Sequence, residues 1–263
     1  MSLFYLPGCK FTKYEPTASD KLAYFCESYL DAQVLGCCSK DFNAPKPGDT
    51  VLYVCPTCAL IMKESNPSAK LKSVYEAVLE YEELLKRTVG HTNKVGNNTL
   101  NNATSNAIQT KPSFHWIDLK KKAITIQDCW RSRTDLDLQL AIRKVLFKMN
   151  TTIVELDSNF DKADFCGLSL LKEPSPRYEW LAPNLFHDPI FKPQEPDEQI
   201  QLLSNHAQQY TTSTIGCYCT GCIEGIDRMN AIFSSGETNK SNAKRLEPIH
   251  IASLLAQSIE LSN

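Results

Sequence analysis

The sequence lacks the features that mark nucleic-acid-binding, membrane-spanning and secreted proteins. It contains no run of Lys or Arg, and the formal net charge of the 263 residues is only −2, so no basic stripe is available for a phosphate backbone. No apolar segment approaches the roughly 20 residues that cross a bilayer. Residues 1–5 have neither the basic region nor the long apolar core of a secretory signal. We therefore expect a folded, cytoplasmic protein with no nucleic-acid partner and no membrane span.

Two further kinds of site are missing from the sequence. The five histidines are scattered, without a pair at the spacing that binds one metal ion from a helix. The glycines between Gly216 and Gly225 do not have the spacing of a nucleotide-binding loop. We therefore expect no bound flavin or nicotinamide. Electrons would have to come from a partner, either a redox protein or a flavoprotein subunit.

Cysteine, by contrast, is abundant, with eleven residues in the chain. The count is odd and no export signal accompanies it, so we expect reduced, metal-binding thiols rather than a disulfide framework. Cys26 lies on the apolar face of a helix predicted for residues 17–34 and is expected in the core. The others form two groups, Cys9, Cys37, Cys38, Cys55 and Cys58 in the first quarter and Cys129, Cys166, Cys217, Cys219 and Cys222 in the second half.

The segment from Val51 to Met62 predicts a buried strand that turns into a helix at a Cys-Pro-Thr-Cys element. Pro56 suits the first position of a helix, which places Cys55 and Cys58 at the helix N-terminus. The helix dipole there favours thiolates, the form that binds metals and attacks disulfides. Alone, the element fits either a thioredoxin-like dithiol or half of a metal site. The other cysteines of the first group favour an iron–sulfur cluster, because a dithiol would leave three of the five thiols unexplained.

The second half of the chain repeats the layout of the first. A strand ends at Cys129 as one does near Cys9, and a helix follows in both halves. A later strand leads into the Cys219–Cys222 pair, as one leads into the Cys55–Cys58 pair. We predict an α/β fold of two tandem, duplicated units with parallel sheets, whose cysteine ligands lie at strand-to-helix loops. The expected boundaries are 1–90 for the first cysteine-rich unit, 91–112 for a polar linker and 113–263 for the second unit.

The order of the cysteines resembles the cysteine-rich CCG domain, which occurs twice in the disulfide-cleaving subunit of heterodisulfide reductase and in related subunits of anaerobic dehydrogenases. The family motif is a lone cysteine, a Cys-Cys-Gly after a helix and a Cys-x-x-Cys, matched here by Cys9, Cys37-Cys38-Ser39 and Cys55-Pro56-Thr57-Cys58. The resemblance covers nearly the whole chain. It departs from the motif where Ser39 replaces glycine and in the short gap between Cys38 and Cys55. It implies a non-cubane [4Fe-4S] cluster, held by the five cysteines of the first group, at which a disulfide is cleaved.

The second copy of the motif is degenerate, because Phe165 stands where the first cysteine of the pair is expected. Its remaining cysteines are Cys129, Cys166, Cys219 and Cys222. Four thiolates suit either a second, ordinary [4Fe-4S] cluster or a closed tetrahedral zinc site. Cys217 is a further candidate ligand, since side chains two residues apart on an extended backbone point to the same face.

The resemblance implies an iron–sulfur oxidoreductase subunit that reduces a small disulfide, or a related sulfur substrate, at the first cluster with electrons from a partner protein. It names no catalytic residue beyond the cluster ligands. Two alternatives stay open. The protein could be an electron-transfer subunit without a substrate of its own, or a zinc-stabilised binding protein.

Overall fold

A computed structural model describes residues 1–92, 113–189, 192–235 and 245–260. Most of the segment predicted to be a polar linker, residues 93–112, lies outside these ranges. Across the described ranges no helix combines the length and the apolar character needed to cross a membrane.

The first half is a four-stranded sheet with helices packed on it. Its elements are β1 (Leu3–Leu6), α1 (Cys9–Tyr14), α2 (Pro16–Leu30), β2 (Ala32–Val34), β3 (Thr50–Tyr53), α3 (Pro56–Ser65), β4 (Lys70–Ser73) and α4 (Val74–Thr92). The strand order is β2-β1-β3-β4, and each neighbouring pair is parallel. The central strands β1 and β3 are almost completely buried, as their apolar sequences require.

The second half contains a sheet of the same topology. Its elements are β5 (Ser113–Phe114), β6 (Ala123–Gln127), α5 (Leu136–Lys148), β7 (Thr152–Val154), α6 (Gly167–Leu171), α7 (Tyr178–Leu181), α8 (Pro183–Phe186), α9 (Pro196–Ala207), β8 (Thr214–Cys217), α10 (Thr220–Ser235), β9 (Glu247–His250), α11 (Ile251–Gln257) and β10 (Ile259–Glu260). The strand order β7-β6-β8-β9 is again entirely parallel, and β5 and β10 form a separate antiparallel pair. The predicted α/β fold of two parallel-sheet units is therefore confirmed.

One predicted helix ends earlier than its sequence pattern suggests. The apolar spacing predicts a helix over residues 17–34, but α2 ends at Leu30 and the chain turns at Asp31, which has the left-handed φ of 55°. Residues 32–34 then pair with β1 as an edge strand. Three residues are too few to show a strand period, so the helical pattern extends through them.

The largest difference between the halves is the connection from the edge strand to the second central strand of each sheet. In the first half, residues 35–49 join β2 to β3, whereas residues 155–213 join β7 to β8 and contain α6 to α9. This long connection returns to the first half, where α7 and α8 pack against α3. The backbone N–H groups of Asn184 and Leu185 donate to the carboxylate of Glu64 at 2.9 and 3.0 Å.

Side chains of both halves form one continuous buried core. The rings of Phe11 and His250 lie 4.5 Å apart across the boundary between the halves. The ammonium group of Lys148 lies 2.8 Å from the carboxylate of Glu82. These contacts fix the position of one sheet relative to the other.

Candidate metal centres

Two sets of cysteines lie beyond the carboxyl ends of the central strands of the two sheets. Cys9 and Cys55 follow β1 and β3, and Cys129 and Cys219 follow β6 and β8. Parallel strands gather their following loops at one edge of a sheet, which is where ligands bind in open α/β folds. We call the cysteines of the first half the first site and those of the second half the second site.

The second site is a compact group of four buried thiols. The sulfurs of Cys129, Cys166, Cys219 and Cys222 all lie within 4.8 Å of one another. Within the described part of the chain, no other three metal-binding side chains form such a group. Cys217 is buried at the end of β8 but does not belong to it. The extended backbone ends at Cys217, so the alternation that was expected to align it with Cys219 does not continue.

A buried polar network holds the loop that carries Cys129. The backbone N–H of Cys129 donates to the hydroxyl oxygen of Tyr218 at 3.2 Å, and that hydroxyl donates to Asp128 at 2.8 Å. Arg143 donates to the same carboxylate at 2.7 Å. Because each buried polar group here has a partner, the loop has a defined position before any metal binds.

A contact between two glycines brings Cys166 to the other ligands. A Cβ added to Gly167, at the start of α6, would lie 2.3 Å from the Cα of Gly225 in α10. No side chain can occupy that space, so only glycine lets the two helices come this close. Cys166 precedes α6 and Cys222 lies in the first turn of α10, and the close crossing therefore sets the distance between their sulfurs.

Arg131 places a buried positive charge beside the second site. Its Nη1 donates to the sulfur of Cys166, and its Nη2 donates to the hydroxyl of Ser169 at 2.8 Å. Hydrogen bonds from the neighbouring thiols, above all Cys129, lower the pKa of Cys166 well below its ordinary value, and the guanidinium acts in the same direction. Cys166 therefore favours the thiolate form that metals bind. Burial raises the pKa of Cys129, and hydrogen bonds with the neighbouring thiols raise that of Cys222.

Phe165 shows what replaced the missing motif cysteine. Its ring is buried and stacks on the ring of His206, with the centroids 4.0 Å apart. Burial lowers the pKa of His206 to about 4, so this imidazole is neutral at physiological pH. The position that holds Cys37 in the first motif holds a core phenylalanine in the second.

The first site is more open. The sulfurs of Cys9 and Cys37 lie 3.4 Å apart, and the thiol of Cys58 is hydrogen-bonded with those of Cys38 and Cys55. Cys9 is exposed, whereas Cys38 and Cys58 are buried. The structure thus brings all five predicted cysteines to one edge of the sheet in two contacting sets. They do not form a compact group like that of the second site.

The two cysteines of the Cys-Pro-Thr-Cys element, at the N-terminus of α3, have opposite pKa shifts. Hydrogen bonds from the thiol of Cys58 and from backbone N–H groups lower the pKa of Cys55 to about 6. The hydrogen bonds of Cys58 with Cys38 and Cys55, together with burial, raise its own pKa well above the ordinary value. Cys55 precedes Pro56 at the N-cap position, so it lies at the helix N-terminus as the sequence predicts.

Cys9 and Cys37 also differ in acidity. Burial and the hydrogen bond with Cys37 raise the pKa of Cys9 to about 11. Although burial opposes it, hydrogen bonds from the side chain and backbone of Ser39 lower the pKa of Cys37. The Ser39 hydroxyl, where the family motif has glycine, lies 3.1 Å from the Cys37 sulfur. The carboxylate of Asp41 holds this loop by accepting the N–H groups of Gly36 and Cys37 at 2.8 and 3.0 Å.

Two residues near the first site were not found from the sequence. The positive charge of Arg177 lowers the pKa of Cys37, and the Tyr178 hydroxyl is close enough to Cys58 for the thiolate charge to raise its pKa further, beyond the effect of burial. Both residues come from the long connection of the second half. No sequence motif marks them, because only the packing of α7 on α3 brings them there.

The sequence matches no protein-family model and no curated protein. The likeness to the CCG domain therefore stays a prediction that rests on the order of the motif cysteines.

Proposed function

We propose that this protein is an iron–sulfur oxidoreductase subunit that reduces a small disulfide, or a related sulfur substrate, at the first site with electrons from a partner protein. The observation that carries the proposal is the contrast between the sites. The second site is closed and buried, whereas the first reaches solvent at Cys9. Metal sites that act on substrates keep an open position, and structural sites do not.

The spacing of the thiols supports a different metal in each site. A tetrahedral ion with Zn–S bonds of about 2.3 Å places its four sulfurs about 3.8 Å apart. The four sulfurs of the second site, all within 4.8 Å of one another, fit that spacing. An iron–sulfur cluster binds its thiolates through different iron atoms, which suits the looser arrangement of the first site. We therefore assign zinc to the second site and the cluster to the first.

The residues of the first site fit an iron–sulfur cluster. Cys55 and Cys37 favour the thiolate, as iron ligands must, and Cys9, Cys38 and Cys58 complete the set. Such a cluster, when bound, supplies one-electron transfer and an iron that can bind substrate sulfur.

The chain contributes access and charge. Cys9 lies on the side from which a small disulfide can approach. The positive charge of Arg177 faces Cys37 and offsets part of the negative charge of the thiolates. Tyr178 is partly buried, which raises its pKa, and lies near enough to Cys58, Cys38 and Cys55 for their negative charge to raise it further.

Metal analysis tests the assignment. Protein purified without oxygen should contain iron, acid-labile sulfide and zinc, and should have a visible chromophore. Cys38→Ser and Cys55→Ser should each lose the iron and keep the zinc. Cys26→Ser, a change at a fully buried core cysteine on α2, is the matched control and should keep both. Zinc without iron would instead favour a zinc-stabilised binding protein.

Turnover tests the reaction. Protein that has been reduced by a low-potential donor should reduce disulfides of small thiols to the free thiols. The chromophore should be reoxidised at the same rate as thiol appears. Reoxidation by artificial dyes but by no disulfide would contradict the proposal and favour the electron-transfer subunit.

A further inference from the structure

Two thiols of the first site that are not buried are already in contact. The sulfurs of Cys9 and Cys37 lie 3.4 Å apart, although 28 residues separate them in sequence. A disulfide bond has a length of about 2.05 Å, so a small approach of the two sulfurs would close it. We propose that Cys9 and Cys37 form a reversible disulfide when the first site holds no metal, and that this bond keeps the site from taking up iron until it is reduced.

The chemistry is an exchange with a small-molecule disulfide as the oxidant. The Cys37 thiolate attacks one sulfur of the oxidant, whose S–S bond breaks and releases one thiolate. Cys9 then loses its proton to solvent and attacks the Cys37 sulfur, which releases the second thiolate. The protein dithiol gives up two electrons, and the oxidant becomes two thiols.

The surroundings of the pair assign these roles. Cys37 is the first nucleophile because the Ser39 hydroxyl, 3.1 Å from its sulfur, stabilises the thiolate. The loop bearing Cys37 is held by Asp41, so its sulfur stays near the start of α1. Cys9 is the first residue of α1 and is exposed, which lets an oxidant reach the pair from solvent.

The competing pair within the site is Cys55 and Cys58. Cys58 is buried, and its thiol is hydrogen-bonded with Cys38 as well as Cys55. Closing that pair would need a second attack by Cys58, whose buried thiol is held by hydrogen bonds with both neighbours, whereas the second attack in the other pair comes from exposed Cys9. Oxidation should therefore begin at Cys9 and Cys37.

The disulfide itself goes beyond the proposed function, because it requires only a metal-free first site. Its effect on iron uptake rests on the proposed function. Closing the bond removes two thiols from the ligand set. Metals bind the thiolate and not the disulfide, so an oxidised site should take up iron only after reduction.

Peptide mapping provides the test. The full chain is produced in iron-depleted, zinc-supplemented medium, reduced, and exposed to glutathione disulfide. Free thiols are then alkylated, and the chain is cleaved with trypsin. Cys9 lies in the peptide of residues 1–10, Cys37 in that of residues 22–40, and Cys55 and Cys58 together in that of residues 41–63. The expected product is a cross-link between the first two peptides, whose fragmentation places the bond at Cys37 and not at Cys26 or Cys38.

Two variants make the result specific. Cys9→Ser should remove the cross-link and leave glutathione attached to Cys37, because the second attack is lost. Cys26→Ser should leave the cross-link unchanged. The proposal would be overturned if Cys55 and Cys58 formed the disulfide instead. The peptide of residues 41–63 would then be lighter by two hydrogens, and Cys9 and Cys37 would still react with the alkylating reagent.

Iron uptake gives a second measurement. The oxidised protein should take up less iron than the reduced protein, and a dithiol reductant should restore uptake. If neither form takes up iron, the cluster proposed for the first site is wrong. The peptide map still shows whether Cys9 and Cys37 form a disulfide. The bond would have no effect on iron uptake if the protein with a mapped Cys9–Cys37 disulfide took up as much iron as the reduced protein. That result would overturn this part of the proposal.

Discussion

Thiols only a few ångströms apart in the first site have very different acidities. Cys55 caps α3 and accepts hydrogen bonds that stabilise its thiolate, which lowers its pKa to about 6. Cys9 is more exposed, yet burial of part of its side chain and the hydrogen bond with Cys37 raise its pKa to about 11. Burial and local hydrogen bonding together therefore decide which of these two thiols ionises at the lower pH.

This difference predicts the pH dependence of alkylation in the reduced, metal-free protein. Iodoacetamide reacts with thiolates, so its rate at Cys55 should rise as the pH passes about 6 and then level off, whereas the rate at Cys9 should still be rising towards about pH 11. Mass spectrometry of quenched samples measures both rates in the same reaction. Buried Cys26, whose pKa is raised by burial, is the unreactive internal standard. Identical profiles for Cys9 and Cys55 would contradict the assignment.

The buried charge of Arg131 leads to a second prediction at this scale. Arg131→Gln removes the guanidinium beside Cys166 and should weaken metal binding at the second site by about 10–100-fold, as the loss of a partner to a metal ligand commonly does. Competition with a chromophoric chelator measures the affinity. Arg133→Gln is the matched control, because Arg133 is exposed and stacks over the ring of Trp130, 4.6 Å from its centroid. Equal affinities of the two variants would argue against a role for the charge.

At the scale of elements, the crossing of α6 and α10 determines the geometry of the second site. The closest approach is between backbone atoms of Gly167 and Gly225, and Gly221 lies beside the Cys166 sulfur. Cys166, at the start of α6, and Cys222, in the first turn of α10, therefore lie in the same site.

Gly167→Ala should therefore both destabilise the protein and weaken the zinc binding that we propose for the second site. The added Cβ would meet backbone that cannot move aside, and such overpacking costs about 1–3 kcal/mol in the free energy of unfolding. Denaturant unfolding and zinc analysis would measure the two effects. In Gly36→Ala, the comparison variant, the added Cβ would lie 3.4 Å from a carboxylate oxygen of Asp41, and both stability and zinc content should change little. Full zinc content in Gly167→Ala would show that the crossing does not set the site.

Elements with strong local signals could be predicted from the sequence. Pro56 after an apolar run predicts the start of α3, and with it the placement of Cys55 and Cys58. The repeated order of strands, helices and cysteines predicts two parallel sheets. The strand β2 is not predicted because residues 32–34 continue the helical spacing, and the turn at Asp31 has no strong residue signal.

The set of residues around the sites was less predictable. Arg177 and Tyr178 reach the first site only because α7 crosses to the first half, and sequence periodicity carries no information on such a contact. Cys217 is a candidate only on the assumption that the strand extends to Cys219, but β8 ends at Cys217 itself. Local pattern determines where a cysteine stands in an element, while tertiary packing determines which side chains surround it.

At the scale of the whole molecule, the two sheets are joined through one core. Phe11 packs on His250, Tyr53 donates a hydrogen bond to Asp135, and Lys148 pairs with Glu82. Each contact links the first half with the second. The halves should therefore unfold together and not as independent units.

Removing the zinc that we propose for the second site tests this coupling. A chelator should lower the hydrogen-exchange protection of amides in β8 and, because the core is shared, should lower protection in β3 as well. Mass spectrometry of exchanged peptides follows both strands in one sample. Restoring zinc should restore protection in both. If β8 loses protection while β3 keeps it, the halves are independent folding units.

The long connection of the second half also limits how such a chain can change by recombination. Two halves with one topology look exchangeable, yet residues 155–213 of the second half supply Arg177 and Tyr178 to the first site. An exchange that brought in a second half with a short connection would preserve both sheets and the five cysteines of the first site while leaving that site without these two residues. The halves are repeats in topology but not interchangeable modules. Natural selection on α7 would therefore act through a site that lies more than a hundred residues earlier in the chain.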